Sequence, residues 1–476
     1  MTSMVALAEM LPAFSARHET DQQKLVDAVK HWLRQCQQLW LLIFDNADDI
    51  ALLRPYLPQQ GKGFLLFTTR SHAVGSLAAS IEVENMDLME GTTFLLQRAQ
   101  RQHVEEDERN EAMNVVISLD GFPLALDQAG AYVEETGCSF KDYIQLYLEH
   151  HRVLLARRGM QVTNYPDSVA TTWSLSFQKI AETNLAAVEL LHLCAFLAPD
   201  EIPEELLTSC AEKWPPLLWQ AVANRITFDR LLEDLLRFSL IKRQAEKRQF
   251  RIHRLVQVVQ QDAMAPEEQR QWAERVIRAV HSMFPRDPKA DVHSWPQCLR
   301  YLEQAQACDT LIQQYELFLP EAAELLDRVG TYLSEHASYT LAESLYQRSL
   351  RIWEHQMDQA HPSMTSTLNN LASLYLQQGK YGQAEPLYQR ALSLREKQLG
   401  ANHSLVAQPL NNLAVLYSKQ ERYAEAEPLF QRALSLREQQ VGPDHADLAY
   451  PLNGLAELYR RQKRYAEAEP LFQRAL

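Results

Sequence analysis

The chain has 476 residues, a hydrophobic content of 46%, a charged content of 23% and a formal net charge of −14. This length is typical of about three folded domains, each large enough to bury a hydrophobic core. The excess of acidic residues argues against a nucleic-acid-binding surface as the main function, because neutralising phosphates requires clustered Lys and Arg.

The six cysteines lie far apart and never form a C-x-x-C pair, which argues against a disulfide framework and against a zinc site. Residues Met1 to Phe14 are mildly apolar but contain Glu9 and no basic segment, so they are not predicted to be a signal peptide. No run reaches the ~18 uninterrupted apolar residues of a membrane span. We therefore expect a cytoplasmic protein with no membrane partner and no nucleic-acid partner.

A hydrophobic run, Trp40 to Phe44, ends in Asp45 and predicts a central strand of a parallel sheet that is covered on both faces. A second run, Phe64 to Thr69, is followed by Arg70, and Ile81 to Val83 is the expected third strand. Helix-length segments separate these strands, which is typical of a parallel α/β sheet. Asp45 and Arg70 should then share one sheet edge, where a carboxylate can hold Mg²⁺ and a cation can contact a phosphate.

A phosphate site of this kind also needs the loop G-x-x-x-x-G-K-[ST] upstream, whose backbone N–H groups surround the phosphates. The sequence does not contain this loop. Its two Gly-Lys pairs, at residues 61–62 and 379–380, are followed by Gly63 and Tyr381. We therefore expect the chain to be a fragment of a longer protein, to hold no cofactor of its own and not to be catalytic by itself.

Residues 120–126 read DGFPLAL and join two helical segments, so Pro123 can contact an adenine ring or simply begin a helix. Each feature alone has an ordinary explanation as a helix cap, a surface charge or a turn. As an ordered set, LLIFDNADD, LLFTTRS and GFPLALDQAGAYV resemble the NB-ARC family of signalling NTPases, over about residues 25–150. The resemblance implies ADP or ATP with Mg²⁺ as the cofactor, Asp45 as the catalytic Mg²⁺-linked carboxylate, Arg70 as the first nucleotide sensor and Pro123 as part of the GLPL motif.

Residues 161–262 predict helices followed by a charged hairpin between two strands, Leu240 to Arg243 and Gln249 to His253. This order resembles the winged-helix domain of the NB-ARC family. The resemblance implies that His253 contacts the β-phosphate of bound ADP, although Arg254 departs from the Asp of the family's MHD motif. A histidine that precedes an apolar helix is otherwise more often a core or helix-start residue.

After a predicted helical linker at residues 263–320, the chain repeats itself with a constant period up to residue 476. Equivalent positions of the units carry identical residues, as in Leu371, Leu413 and Leu455, and residues 422–434 are identical to residues 464–476. Apolar residues at helical spacing predict two helices in each unit, stacked into an array. The pattern resembles tetratricopeptide repeats in the longer form of kinesin light chains, and implies about four units with the last one cut short.

The first helix of each unit carries a polar stripe opposite its packing stripe. The stripe is rich in Asn, which has poor helix propensity and therefore needs a reason to recur in helices. The alternative is a merely solvated face, the usual role of polar stripes. The resemblance implies a protein or peptide ligand held by Asn369, Asn370, Ser373, Gln377, Asn411, Asn412, Lys419, Asn453 and Arg461.

The sequence thus predicts a partial α/β parallel-sheet NTPase domain at residues 1–160, a winged-helix and helical domain at residues 161–262, and an all-α tetratricopeptide solenoid at residues 321–476. The resemblance implies a signalling switch, at most a slow ATPase, in which ligand on the array releases His253 from ADP and permits homo-oligomer assembly. The alternative is a plain peptide-binding scaffold with a degenerate, nucleotide-free head. A hydrolase is disfavoured because no nucleophile, base and orienting group occur together.

Overall fold

The structure is a computed structural model that describes residues 7, 11, 22–45, 47, 53–58, 61–69, 78–79, 81, 83–101, 104–156, 169–238, 240–355, 361–443 and 445–475. The chain divides into two compact units. The first comprises Met1–Leu191 and Pro216–Asp262, and the second comprises His192–Pro215 and Ala263–Leu476.

The strands are β1 (Trp40–Phe44), β2 (Gly63–Phe67), β3 (Ile202–Pro203), β4 (Ile241–Gln244) and β5 (Gln249–Ile252). The helices up to the array are α1 (Gln22–Gln35), α2 (Leu88–Arg98), α3 (Glu106–Ser118), α4 (Pro123–Thr136), α5 (Phe140–Ala156), α6 (Val169–Thr183), α7 (Leu185–Cys194), α8 (Glu204–Ser209), α9 (Pro216–Val222), α10 (Arg225–Arg237), α11 (Arg254–Ala263), α12 (Pro266–Met283) and α13 (Trp295–Gln314). Those of the array are α14 (Pro320–Glu335), α15 (Tyr339–His355), α16 (Pro362–Gln377), α17 (Tyr381–Leu399), α18 (Ala407–Lys419), α19 (Tyr423–Val441), α20 (Ala449–Arg461) and α21 (Tyr465–Ala475). Short 3-10 turns lie at Arg54–Tyr56, Ala211–Lys213, Ala245–Lys247, Val292–Ser294, Ser404–Val406 and Ala446–Leu448.

Strands β1 and β2 pair in parallel, as the sequence predicts, with Trp40 opposite Gly63. Half-buried and exposed side chains alternate along both strands. The half-buried side of β1 packs through Trp40 and Leu42 against apolar residues of α1 that include the fully buried Val29. The alternation has the period of two that a strand imposes on its side chains.

The other face of this parallel pair is open. The side chains of Leu41 and Phe64 on that face are 58% and 67% exposed. The prediction of a strand covered on both faces is therefore wrong, because the packing of α1 buries one set of alternate side chains and leaves the other set exposed. An apolar run shows that a strand is hydrophobic on both sides, but it does not supply the element that covers the second side.

The predicted third strand is also wrong where the structure describes it. Ile81 and Val83 lie outside any strand and are 85% and 91% exposed. A short apolar run identifies a strand only if a neighbouring strand pairs with it. The segment instead leads to α2, whose N-terminus is capped by Asp87. The carboxylate of Asp87 accepts hydrogen bonds of 2.8 Å from the backbone N–H groups of Met89 and Glu90.

The predicted hairpin is present as the antiparallel pair β4 and β5, in which Ile241 lies opposite Ile252. The side chains of both residues and of Phe250 are buried, so one side of the hairpin faces the core. The connecting turn ends at Arg248, whose φ of 49° is left-handed. The chain then passes through His253 directly into α11, which places that histidine where a strand end meets a helix start.

The repeats form four helix pairs: α14 with α15, α16 with α17, α18 with α19, and α20 with α21. In each of the last three pairs, Leu and Ala of the first helix are buried where the sequence predicts the packing stripe; these residues are Leu371, Ala372, Leu413, Ala414, Leu455 and Ala456. The second helices of the last three pairs each contain a proline about a turn after they begin. Helix α17 begins at Tyr381 and contains Pro386 within it.

Neighbouring pairs are joined by a polar contact that we call the Glu-Tyr-Arg bracket. In its central copy the Tyr417 hydroxyl donates to Glu385 at 3.2 Å, and Arg422 donates to the same carboxylate at 2.9 Å. The Arg422 guanidinium also lies 4.1 Å from the Tyr417 ring centroid. The bracket recurs in the following unit at Glu427, Tyr459 and Arg464, and in the preceding unit, with Lys in place of Arg, at Glu343, Tyr375 and Lys380.

Candidate functional site

Asp45 lies at the C-terminal end of β1, where the sequence predicts it. Its carboxylate is exposed and accepts a hydrogen bond from the Thr68 hydroxyl, at the equivalent end of β2. The Thr68 N–H donates to the Phe44 carbonyl at 3.0 Å, which extends the pairing to this edge. Arg70, the other residue predicted for the edge, lies outside the described residues.

Asp45 and Thr68 fit the oxygen ligands that Mg²⁺ requires, and an exposed carboxylate at a sheet edge is accessible to a metal-bound phosphate. In the part of the chain that the structure describes, no three His, Cys, Asp or Glu side chains come together as a metal site. The sequence also lacks the phosphate-binding loop. These residues therefore suit the metal end of a nucleotide and do not by themselves hold its phosphates.

His253 lies in a second cluster of the same unit, which we call the His253 cluster: Asn85, Asp120, Phe122, Trp173 and His253. The imidazole is 5.2 Å from the Phe122 ring and 5.5 Å from the Trp173 ring, measured between centroids. Its Nδ1 accepts a hydrogen bond from the Leu255 N–H at 3.2 Å. Its Nε2 lies 3.0 Å from the Asn85 amide nitrogen and 3.5 Å from the Asp120 carboxylate.

The turn that carries Asp120 depends on an unusual backbone. Asp120 and Gly121 both have left-handed φ angles, of 54° and 63°, and the turn joins α3 to α4. Asn85 fixes the turn by donating to the Asp120 carbonyl at 2.9 Å, while the Met86 N–H donates to the Gly121 carbonyl at 3.0 Å. Pro123 is the first residue of α4, so its helix-starting role is present. Its predicted contact with adenine stays a prediction.

Burial lowers the pKa of His253 below its ordinary value, because the neutral ring is preferred away from water. The Asp120 carboxylate opposes this effect, whereas the nearby cations Arg251, Arg254 and Lys242 add to it. The ring is therefore neutral near pH 7 and can both donate and accept one hydrogen bond. His253 therefore connects the end of β5 to the Asp120 turn, and the neighbouring charges influence its protonation.

The polar stripe of the array is less open than the sequence predicts. Asn369 and Asn411 are buried, which differs from the expectation that all the asparagines lie on an accessible face. The Asn369 amide donates to the Thr365 carbonyl, and the Ser373 hydroxyl lies 2.8 Å from that of Tyr388. The predicted contact residues that are exposed are Gln377, Lys419, Asn453 and Arg461.

Asn370 and Asn412 join neighbouring units. The Asn370 amide donates to both Asp327 oxygens, at 3.1 and 3.3 Å, and the Asn412 amide donates to Asn369 at 3.4 Å. In the next unit the equivalent residue is Gly454, which has no side chain with which to reach Asn411. Asparagine therefore recurs in these helices for a structural reason, and its role toward a ligand stays a prediction.

We predict that Asp327→Asn changes how stability depends on pH. Burial raises the pKa of Asp327 to about 6, and Asn370 partly offsets the effect. A carboxyl whose pKa is higher in the folded state favours folding at low pH, and this contribution is lost as the pH rises from about 4 to about 6. Relative to wild type, Asp327→Asn should thus gain roughly 1 to 3 kcal/mol in unfolding free energy between pH 4 and pH 7. Urea denaturation at both pH values measures this difference, with the exposed Glu421→Gln as control; a constant difference contradicts the prediction.

Several residues of these sites were not among the sequence-based candidates. Asn85, Asp120 and Trp173 meet His253 from distant segments, and no local motif marks them as its neighbours. The Glu-Tyr-Arg bracket had a detectable signal, because its Glu and Tyr recur at a constant separation in three consecutive units.

Among the helices that the structure describes, none is both long and apolar enough to cross a membrane.

Solved structures that resemble the chain have low TM-scores. BtubC (BKLC) from P. vanneervenii is 22% identical, with a TM-score of 0.33, and the match covers 44% of this chain and 90% of that one. A signal transduction ATPase with numerous domains (STAND) and a tetratricopeptide repeat sensor, from Pyrococcus horikoshii, is 11% identical, with a TM-score of 0.20. That match covers 98% of this chain and 80% of the other.

Two families and one relative match the sequence. The tetratricopeptide repeat family matches residues 363–439 and 405–476, and a domain of unknown function (DUF7779) matches residues 176–269. A nucleotide-binding leucine-rich repeat (NLR)-like protein of Hyaloscypha variabilis is 29% identical in an alignment 365 residues long, which covers 69% of this chain. The chain spans about a third, 34%, of that relative's length. The chain is thus similar to an NLR-like protein over most of its length, and its C-terminal part matches tetratricopeptide repeats.

Proposed function

We propose that the chain is the regulatory part of an ADP- or ATP-dependent signalling switch whose repeat array binds a protein or peptide ligand. The observation that carries this proposal is the extent of the likeness to the NLR-like protein. It runs over 365 residues, whereas the repeat family matches only residues 363–476. The likeness covers 69% of the chain and therefore includes a large part of the residues that precede the array.

In this proposal an anionic nucleotide with its Mg²⁺ binds at the edge of β1 and β2. The phosphate-binding loop that this chain lacks would belong to the same protein. Asp45 would hold the metal through its carboxylate, and Arg70 and Pro123 would contact the nucleotide. The winged-helix segment is formed by α10, β4, β5 and α11. His253 in this segment would stabilise the resting state of the switch. Support comes from the exposed Asp45 carboxylate and from the half-buried, neutral His253 in the same compact unit.

On the array, the proposed ligand surface consists of the exposed part of the polar stripe: Gln377, Lys419, Asn453 and Arg461. Asn370 and Asn412 contribute by fixing the spacing of neighbouring first helices, since their amides already bond to the preceding unit. A ligand that binds better to one spacing of the repeats would favour the state of the switch that has this spacing. The size of the shift depends on the difference between the ligand's affinities for the two states. Cytoplasmic location and ligand-induced assembly of several copies belong to the same proposal.

Calorimetric titration with ADP and with Mg-ATP tests the switch. We expect no submicromolar binding to this chain, but measurable binding to a version extended by the upstream coding sequence. In the extended protein, Asp45→Ala should abolish Mg²⁺-dependent ATP hydrolysis and retain ADP binding. The exposed Asp107→Asn, on α3, changes charge equally and should retain both properties.

Unchanged turnover in Asp45→Ala would show that this carboxylate is only structural. An extended protein that binds neither nucleotide would overturn the switch and favour the second candidate, a peptide-binding scaffold with a nucleotide-free head. The helix pairs of the array favour that candidate independently, because each pair is stabilised by packing against its neighbours.

A further inference from the structure

In the His253 cluster, Asp120 and Asn85 favour opposite positions of the single ring proton of His253. We propose that Asp120 is a positioning residue whose carboxylate keeps the His253 proton on Nε2 and competes with any anionic ligand for that nitrogen. The competition with a ligand rests on the proposed function, in which His253 meets an anion. The control of the proton rests on the geometry of the cluster alone.

The Nδ1 side of the ring favours a proton on Nε2. Nδ1 lies 3.2 Å from the Leu255 nitrogen and accepts its N–H, at the first turn of α11. A neutral imidazole carries one proton, so an accepting Nδ1 requires Nε2 to be the donor. The Asp120 carboxylate, 3.5 Å from Nε2, is the group that attracts such a donor.

Asn85 favours the opposite arrangement. Its amide nitrogen donates to the Asp120 carbonyl at 2.9 Å and also lies 3.0 Å from His253 Nε2. An amide nitrogen has two protons and no acceptor site, so its second proton is best placed when Nε2 accepts. That arrangement would move the ring proton to Nδ1 and break the bond from Leu255. The negative charge of Asp120 decides between the two arrangements.

The charges around the ring also determine which kind of ligand can take the place of the Asp120 carboxylate at Nε2. Asp120 approaches from the turn between α3 and α4, while Lys242 on β4, Arg251 on β5 and Arg254 on α11 act on the ring with positive charge. These cations create a positive potential that attracts an anion to the same place. An anion that accepts the Nε2–H must first displace the Asp120 carboxylate, because two negative charges repel each other at one donor.

Nitrogen NMR of the chain labelled with ¹⁵N-histidine tests the position of the proton, with the His253 signals assigned by their loss in His253→Gln. We expect wild type to show the Nε2–H form. Asp120→Asn, which keeps the shape and removes the charge, should shift the ring toward the Nδ1–H form and lower the His253 pKa further. Asp107→Asn should change neither property. A wild-type ring protonated on Nδ1, or an Asp120→Asn ring identical to wild type, would overturn the proposal.

Pyrophosphate, added to the same labelled protein at pH 7, tests the competition. Asp120→Asn should bind pyrophosphate at least several-fold more tightly than wild type, as measured by calorimetric titration, with the shift of the His253 signals locating the site. On a His253→Gln background, where calorimetry alone is the readout, Asp120→Asn should no longer change the affinity. Equal affinities would overturn the competition. Failure of the switch appears instead in the ADP titration of the extended protein, so the two ideas fail in separate experiments.

Discussion

Leu413→Ala is expected to unfold the third repeat together with its neighbours. Leu413 lies on α18 and is 4% exposed, so its truncation leaves a cavity in the packing between helices. A buried Leu→Ala change costs about 2 to 5 kcal/mol. Because each unit of a stacked array is stabilised mainly through its neighbours, the loss should spread beyond the mutated unit. Circular dichroism during thermal unfolding measures the effect.

Leu405→Ala is the matched control, since it removes the same atoms in the same unit from a side chain that is 46% exposed. Its melting temperature should stay close to that of wild type. Equal losses in the two variants would mean that burial of Leu413 does not stabilise the array. A loss in Leu413→Ala that is confined to a small part of the helical signal would show that the units unfold independently.

Gly121→Ala is expected to have the second large effect, in the first unit. A Cβ at this position would lie 2.1 Å from the Met86 carbonyl oxygen, and the φ of 63° is unfavourable for an L-residue with a side chain. Because the close atom belongs to the backbone, it cannot move aside as a flexible side chain can. The Asp120 turn should open, and with it the contact to His253.

Gly137→Ala separates the steric effect from the backbone effect. Gly137 has a similar φ of 70° at the end of α4, but a Cβ there would meet nothing within 4 Å. This variant should lose only the roughly 1 kcal/mol that a left-handed conformation costs. Denaturant unfolding of both variants, alongside the His253 NMR signals, measures the difference. Equal destabilisation would show that the contact with Met86 is not what makes Gly121 necessary.

The array could be predicted from the sequence because its information is local and repeated. Equivalent leucines at Leu371, Leu413 and Leu455 occur at helical spacing within each unit, so the packing stripe is visible before any fold is known. The parallel strand pair could also be predicted from local information, because each strand is a short apolar run. What covers those runs could not be predicted, since Leu41 and Phe64 are as apolar as the residues on the packed side.

The candidate sites could be predicted only in part. Asp45 and His253 follow from motifs in order along the chain, and both lie at the ends of strands as expected. The partners of His253 come from distant segments, with Asn85 just before α2 and Trp173 on α6. Spacing in the sequence carries no information about such contacts. The recurrence of Asn suggested ligand binding, whereas bonds to the preceding unit account for Asn370 and Asn412.

The Glu-Tyr-Arg bracket bears on how such an array can evolve. Each bracket joins the second helix of one repeat to the first helix of the next, and its Glu and Tyr are the same in all three copies, with Lys380 in place of Arg in the first. A unit inserted or deleted in frame would therefore find a compatible junction on both sides. The identity of residues 422–434 and 464–476 is what duplication of a unit leaves behind. Natural selection can thus change the length of the array without redesigning any junction.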